Sequence, residues 1–99
     1  MDWRLPARSL WLQVRAFHPW PGAFTSFKGR RLRVLEAFPQ AVSPPLVPGQ
    51  VRALGKGAGV ETGEGVLELL TLQMEGKRPL PIEEFLRGQR DFIGAVLPS

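Results

Sequence analysis

The 99-residue sequence contains no cysteine and no tyrosine, and only one histidine. The lack of cysteine excludes a disulfide framework, a thiolate metal site and a cysteine nucleophile. Small secreted domains are more often stapled, so this absence points to the cytoplasm. No apolar run approaches the roughly 18–20 residues that a membrane-spanning helix needs. The start, Met1-Asp2-Trp3-Arg4-Leu5-Pro6, lacks the charged and then apolar pattern of a signal peptide. What the chain does hold is a core's worth of apolar residues, 43% of the total, with 11 Gly and 10 Pro clustered between apolar runs. That distribution suits one domain, residues 1–99, built of short strands and turns.

Thirteen Lys and Arg against nine Asp and Glu give a net charge of +4 and a pI near 10.7. A basic excess favours polyanionic partners through counterion release, and it equally fits a surface that is merely basic.

Periodicity orders the elements. Leu10, Val14 and Phe17, with Trp11 beside them, share one face of a helix over residues 7–17. His18-Pro19-Trp20-Pro21-Gly22 ends it. Residues 23–27 and 31–38 read as a hairpin with a three-residue connection centred on Gly29. In its second strand Leu32 and Val34 alternate with Arg31 and Arg33, and the alternation breaks at Leu35-Glu36-Ala37, as a bulge or as the strand's end. Residues 39–50 hold four prolines and read as a loop. A strand over 51–54 follows, then a turn over 55–59, a strand over 60–62 and a turn over 63–65. Residues 66–73 are apolar on both sides, as in a covered central strand. A loop over 75–80 leads to a second helix over 81–92, with Ile82, Phe85, Leu86 and Phe92 as its buried stripe. Its acidic start (Glu83, Glu84) and basic end (Arg87, Arg90) match the helix dipole. The fold expected is mainly β with flanking helices: an OB-like open Greek-key barrel of five or six short strands with one N-terminal and one C-terminal helix.

Catalytic chemistry is sparse. His18, between a helix end and prolines, reads as a surface or capping residue. Glu83 and Glu84 are adjacent on a helix, so their side chains diverge by about 100°. No His, Asp or Glu cluster has metal-ligand spacing. The glycine-rich segments 55–59 and 63–65 lead into strands, where a phosphate cradle needs a helix N-terminus, so they are turns. The sequence therefore offers no catalytic residue and no metal site.

The basic residues form three groups: Lys28, Arg30, Arg31 and Arg33; Arg52 and Lys56; Lys77, Arg78, Arg87 and Arg90. A barrel would gather these ten of the thirteen cations around one rim, opposite the surface its helices cover. Solvated strand faces and snorkelling arms are the plainer alternative. Aromatics do not interleave with the cations, so the contact expected is with the backbone of structured RNA and not with bases.

In order along the chain, Val14-Arg15-Ala16-Phe17-His18-Pro19-Trp20-Pro21-Gly22-Ala23 resembles the "R-A-x-N-P-W-P-G-A" signature opening the C-terminal domain of methionyl-tRNA formyltransferases, preceded by Asp2-Trp3. Pro48-Gly49-Gln50-Val51, the run Thr62–Gln73, Gly76-Lys77-Arg78 and Phe85-Leu86-Arg87-Gly88-Gln89-Arg90 resemble four further motifs of that family. His18 departs from the common Asn. The resemblance implies a cytoplasmic, monomeric, OB-like domain that presents a basic face to initiator Met-tRNA. An N-terminal Rossmann-type domain in cis, not in this chain, would hold 10-formyltetrahydrofolate and the catalytic residues, so no cofactor is expected here. The ends coincide with the family's domain boundary, which suggests an excised domain. Carried over, the candidate nucleic-acid-binding residues are Arg31, Arg33, Arg52, Lys56, Lys77, Arg78, Arg87 and Arg90. The alternative is a structural barrel without RNA contact, as in related nucleotide-sugar formyltransferases or formyltetrahydrofolate dehydrogenases.

Overall fold

A computed structural model describes residues 1–18, 22–41 and 47–99. Pro19-Trp20-Pro21 of the expected helix-ending turn, and the middle of the proline-rich loop, lie outside them. The elements run α1 (Ala7–Phe17), β1 (Ala23–Phe27), β2 (Arg30–Gln40), β3 (Val51–Leu54), β4 (Gly57–Glu61), β5 (Val66–Met74), β6 (Leu80–Pro81) and α2 (Ile82–Gly88). The result is an open antiparallel sheet of six strands with one N-terminal and one C-terminal helix, in the order β1-β2-β5-β4-β3, with β6 also paired to β5. The step from β2 over to β3 is a Greek-key connection, since β5 returns to lie beside β2.

β5 is the central strand because its apolar residues serve both neighbours. Leu72 lies opposite Val34 and Leu69 opposite Ala37 on β2, while Leu69 and Leu67 face Ala58 and Val60 on β4. The alternation does break at Leu35, and the cause is a bulge: Val34 pairs Leu72, Glu36 pairs Thr71 and Ala37 pairs Leu69, so Leu35 and Leu70 are each skipped. A bulge re-aims side chains, and Leu70 is accordingly left exposed. β2 then continues through Pro39 and Gln40, beyond the expected end at 38. Glu68, unexplained by the apolar pattern, accepts a 2.7 Å hydrogen bond from Gln40 Nε2 on that extension.

The core gathers Leu10 and Val14 of α1, Leu32 and Val34 of β2, the inward residues of β4 and β5, and Ile82 and Phe85 of α2. Phe17, expected on the buried face of α1, is 43% exposed. α2 is shorter than the expected 81–92, because Pro81 pairs with Thr71 in β6 and the helix ends at Gly88. Phe92 is nevertheless fully buried, edge-on to Phe27 at 5.0 Å and to Phe85 at 5.1 Å. Such edge-to-face packing suits the ring quadrupoles.

Candidate nucleic-acid interface

Strand direction places the basic turns. Every pairing is antiparallel, so β1, β3 and β5 run one way and β2, β4 and β6 the other. The turns β1–β2, β3–β4 and β5–β6 therefore all fall at the same end of the sheet. They carry Lys28, then Lys56, then Lys77 and Arg78. Hairpin topology alone brings three segments, far apart in sequence, to one rim.

The first turn is tighter than expected. Phe27 pairs directly with Arg30, leaving Lys28 and Gly29 as a two-residue connection with φ of 54° and 74°. Both values are positive, the signature of a type I′ turn, whose twist suits a hairpin. Below it, β2 buries Leu32 and Val34 and turns Arg31 and Arg33 outward. The Arg31 guanidinium sits 4.5 Å from the centre of the Phe24 ring, a cation–π contact that fixes its direction. Arg33 lies across Gly22, where an added Cβ would stand 3.0 Å from Arg33 Nε. Gly22 is thus the floor on which Arg33 extends. Arg31 and Arg33 line one surface depression with Gln73, Met74, Glu75 and Gly76, so they adjoin the turn that carries Lys77. That turn is held by hydrogen bonds from Lys77 N–H to the Met74 carbonyl (2.9 Å) and from Gln73 Nε2 to the Lys77 carbonyl (2.8 Å).

Lys56, in the β3–β4 turn, lines a second depression with Glu83, Leu86, Arg87 and Arg90. α2 thus borders the basic rim, whereas the sequence reading had set the helices on the opposite surface. The physical reason is the short β6, which delivers the chain straight from the β5–β6 turn into α2.

Not all the cations are available. Arg52 points away from the rim and donates a 2.9 Å hydrogen bond to Glu61, whose side chain is fully buried. Its charge is engaged by that pair, whereas Lys56 has no acidic partner among the described residues. Arg78 meets Glu84 at 3.3 Å and Lys28 meets Asp91 at 2.6 Å. The hydrogen bond from Lys28 holds the Asp91 carboxyl below its ordinary 3.8. The hydrogen bond from Arg4 likewise lowers Asp2. Among the described residues, Arg31, Arg33, Lys56, Lys77, Arg87 and Arg90 have no acidic partner within salt-bridge distance.

Glu61 escaped the sequence reading. The available signal was a carboxylate in an apolar strand, diagonal to an arginine: Arg52 pairs with Gly59, two residues before Glu61. Among the described residues no three His, Cys, Asp or Glu side chains come together as a metal site, and no helix is long and apolar enough to cross a membrane. A groove between α1 and the sheet, lined by Trp11, Val14, Arg15, Leu35, Glu36 and Leu70 among others, is open.

Residues 1–90 match the family model described as the formyl transferase C-terminal domain. The methionyl-tRNA formyltransferase of Dehalococcoides mccartyi is 45% identical over 98 residues, which is 98% of this chain and 31% of the relative. That of Nitrosococcus oceani is 42% identical over 98 residues, covering 98% of this chain and 30% of the relative. The chain thus spans less than a third of the length of these relatives. Among solved structures, HypX from Aquifex aeolicus in complex with tetrahydrofolic acid superposes with a TM-score of 0.74 at 21% identity, over 94% of this chain and 17% of that one. At that identity the likeness concerns the fold.

Proposed function

Since the chain belongs to the formyl transferase C-terminal domain family, we propose that it is the tRNA-binding part of a methionyl-tRNA formyltransferase. In this reading it positions initiator Met-tRNA in the cytoplasm for N-formylation in translation initiation, as a monomer with an OB-like barrel. The reaction itself would belong to an N-terminal domain in cis, with 10-formyltetrahydrofolate as donor.

The observation that carries the proposal is the gathering of three cation-bearing turns at one end of the sheet, with six of the eight candidate residues unpaired. Phosphate contacts from guanidinium and ammonium groups fix position without base reading. Lys56 and Lys77, both without an acidic partner among the described residues, test it. Changing both to Ala is expected to weaken tRNA binding about tenfold and to reduce its salt dependence. The thermal midpoint should stay within about 2 °C, since exposed charges contribute little to folding. Loss of the fold with unchanged binding would remove both residues from the site.

A second reading, a structural barrel without RNA contact, is favoured by the four ion pairs that neutralise Arg4, Lys28, Arg52 and Arg78. It expects no measurable tRNA binding even at low salt.

A further inference from the structure

The strand order ends in β1 on one side and β3 on the other, and the segment after α2 is hydrogen-bonded to both. On the β3 side, Val51 N–H donates to the Ala95 carbonyl (2.8 Å), Gly94 N–H to the Val51 carbonyl (2.9 Å) and Leu97 N–H to the Gly49 carbonyl (2.7 Å). On the β1 side, Ser99 N–H donates to the Ser26 carbonyl (2.9 Å), Gly29 N–H donates to the Ser99 carbonyl (3.0 Å) and Lys28 N–H reaches Ser99 Oγ at 3.2 Å. The segment is held down by Phe92 and Leu97, both buried, and by the ion pair between Asp91 and Lys28. Residues 91–99 lie beyond the part matched by the family model.

The two edges matter because each bears one flank of the basic rim. β1 leads into the turn and strand that carry Lys28, Arg31 and Arg33, and β3 leads into the turn that carries Lys56. Within the sheet β1 and β2 make up one flank and β3 and β4 the other, with β5 between them. β2 is paired along its length to β5, so in this flank it is β1 and the Lys28–Gly29 turn, joined to the sheet only through β2, that can loosen unless something ties them down.

We infer that residues 91–99 form a strap that sets the spacing between the two cationic flanks, with Asp91 and Ser99 as positioning residues for the β1–β2 hairpin. This rests on the RNA-binding reading above and adds a selectivity to it. A fixed spacing favours a rigid, folded RNA over a flexible polyanion, because a preorganised rim has less freedom to lose on binding. The strap segment 94–99 contains no charged side chain, so its removal changes geometry and leaves the Lys and Arg side chains intact.

The decisive variant is Asp91→Ala combined with Ser99→Ala. It removes one negative charge and frees Lys28, so electrostatics alone predicts tighter binding to every polyanion. Lost positioning predicts the opposite sign on folded RNA: tRNA affinity falling about fivefold while affinity for unstructured poly-U holds or rises, as adaptable strands tolerate a loosened rim. Tighter binding to both, or an equal loss on both, overturns the inference. A chain ending at Leu97 gives an independent reading without RNA, since it keeps the Leu97 anchor and the β3 pairing. Amide exchange across residues 24–33 should accelerate in it, and unchanged exchange would show that no tether exists. If the intact chain binds no tRNA at low salt, the selectivity falls together with the function proposed above, whereas the exchange result stands by itself.

Discussion

Glu61 has a fully buried side chain, and only one of its carboxylate oxygens is hydrogen-bonded; Oε2 has no partner in the structure. A buried carboxylate is tolerated because Arg52 donates to Oε1 at 2.9 Å, with the guanidinium itself reaching solvent (side chain 32% exposed). The pair is therefore asymmetric. Arg52→Ala strands a buried charge and should cost about 3 kcal/mol of stability in chemical denaturation. Glu61→Gln leaves Arg52 able to find water and should cost clearly less. Equal effects would mean that Glu61 is not sealed in as described. Asp91 offers a pH test on the opposite end of the sheet. Its carboxyl lies below the ordinary 3.8 because Lys28 donates to it. A lowered carboxylate contributes stability that is present above 3.8 and lost as pH falls through the folded-state value. Removal of the carboxylate in Asp91→Ala should therefore lower the thermal midpoint slightly at pH 6, and the gap should close by pH 2. A gap that persists at pH 2 would place the effect outside the ion pair. Arg52 and Arg78 also show where sequence reading stops at this scale. Both read as free cations because their acidic partners sit nine and six residues away, on elements whose register the sequence does not specify.

The elements that were legible are those with a strong period: α1 over Ala7–Phe17 and β1 over Ala23–Phe27 match the reading residue for residue, as does β3. The errors lie where tertiary pairing overrides local signals. Pro39 read as the start of a loop and Pro81 as the first residue of a helix, yet both sit in strands, where the paired neighbour decides the conformation. Gly57 to Gly59 read as turn and belong to β4 for a packing reason: a Cβ at Gly59 would collide with Val66 and Leu54 side chains. The strap after α2 had no signal at all, since it is an extended segment defined only by what it bonds to. Gly49 gives that strap a test of its own. Gly49 and Gly29 both have positive φ, 95° and 74°. A Cβ at Gly49 would be driven into the Leu97 carbonyl, whereas one at Gly29 meets nothing within 4 Å. Gly29→Ala should cost only the backbone term, about 1 kcal/mol. Gly49→Ala should cost that plus displacement of the strap, about 2–4 kcal/mol in total. Comparable losses in a denaturant titration would mean that the strap yields freely at Gly49.

For the whole molecule, the question is whether a modest +4 charge can support binding to a polyanion. Net charge is the wrong measure when cations outnumber acids at one end of a molecule. Glu61 and Glu64 lie on the β4–β5 side, at the end away from the three basic turns, and Asp2 is taken up by Arg4. At the rim itself, Asp91 and Glu84 are each engaged with Lys28 and Arg78. The local field is set by the six unpaired candidates, Arg31, Arg33, Lys56, Lys77, Arg87 and Arg90, together with the exposed Arg30 beside the first turn, with Glu75 and Glu83 as the acidic residues lining their depressions. If all six cations engage phosphates, log affinity should fall with log salt at a slope of about −4 to −5, a loss of about 10²–10³-fold between 50 and 200 mM. Charge-removing variants then divide by position. Arg87→Ala with Arg90→Ala should flatten the slope by about 2, as two phosphate contacts require. Arg52→Ala, assayed where it stays folded, should leave the slope unchanged because its charge is already answered by Glu61. A slope that drops equally for both variants would mean that binding follows total charge, and the convergence of the three turns would then have no bearing on recognition.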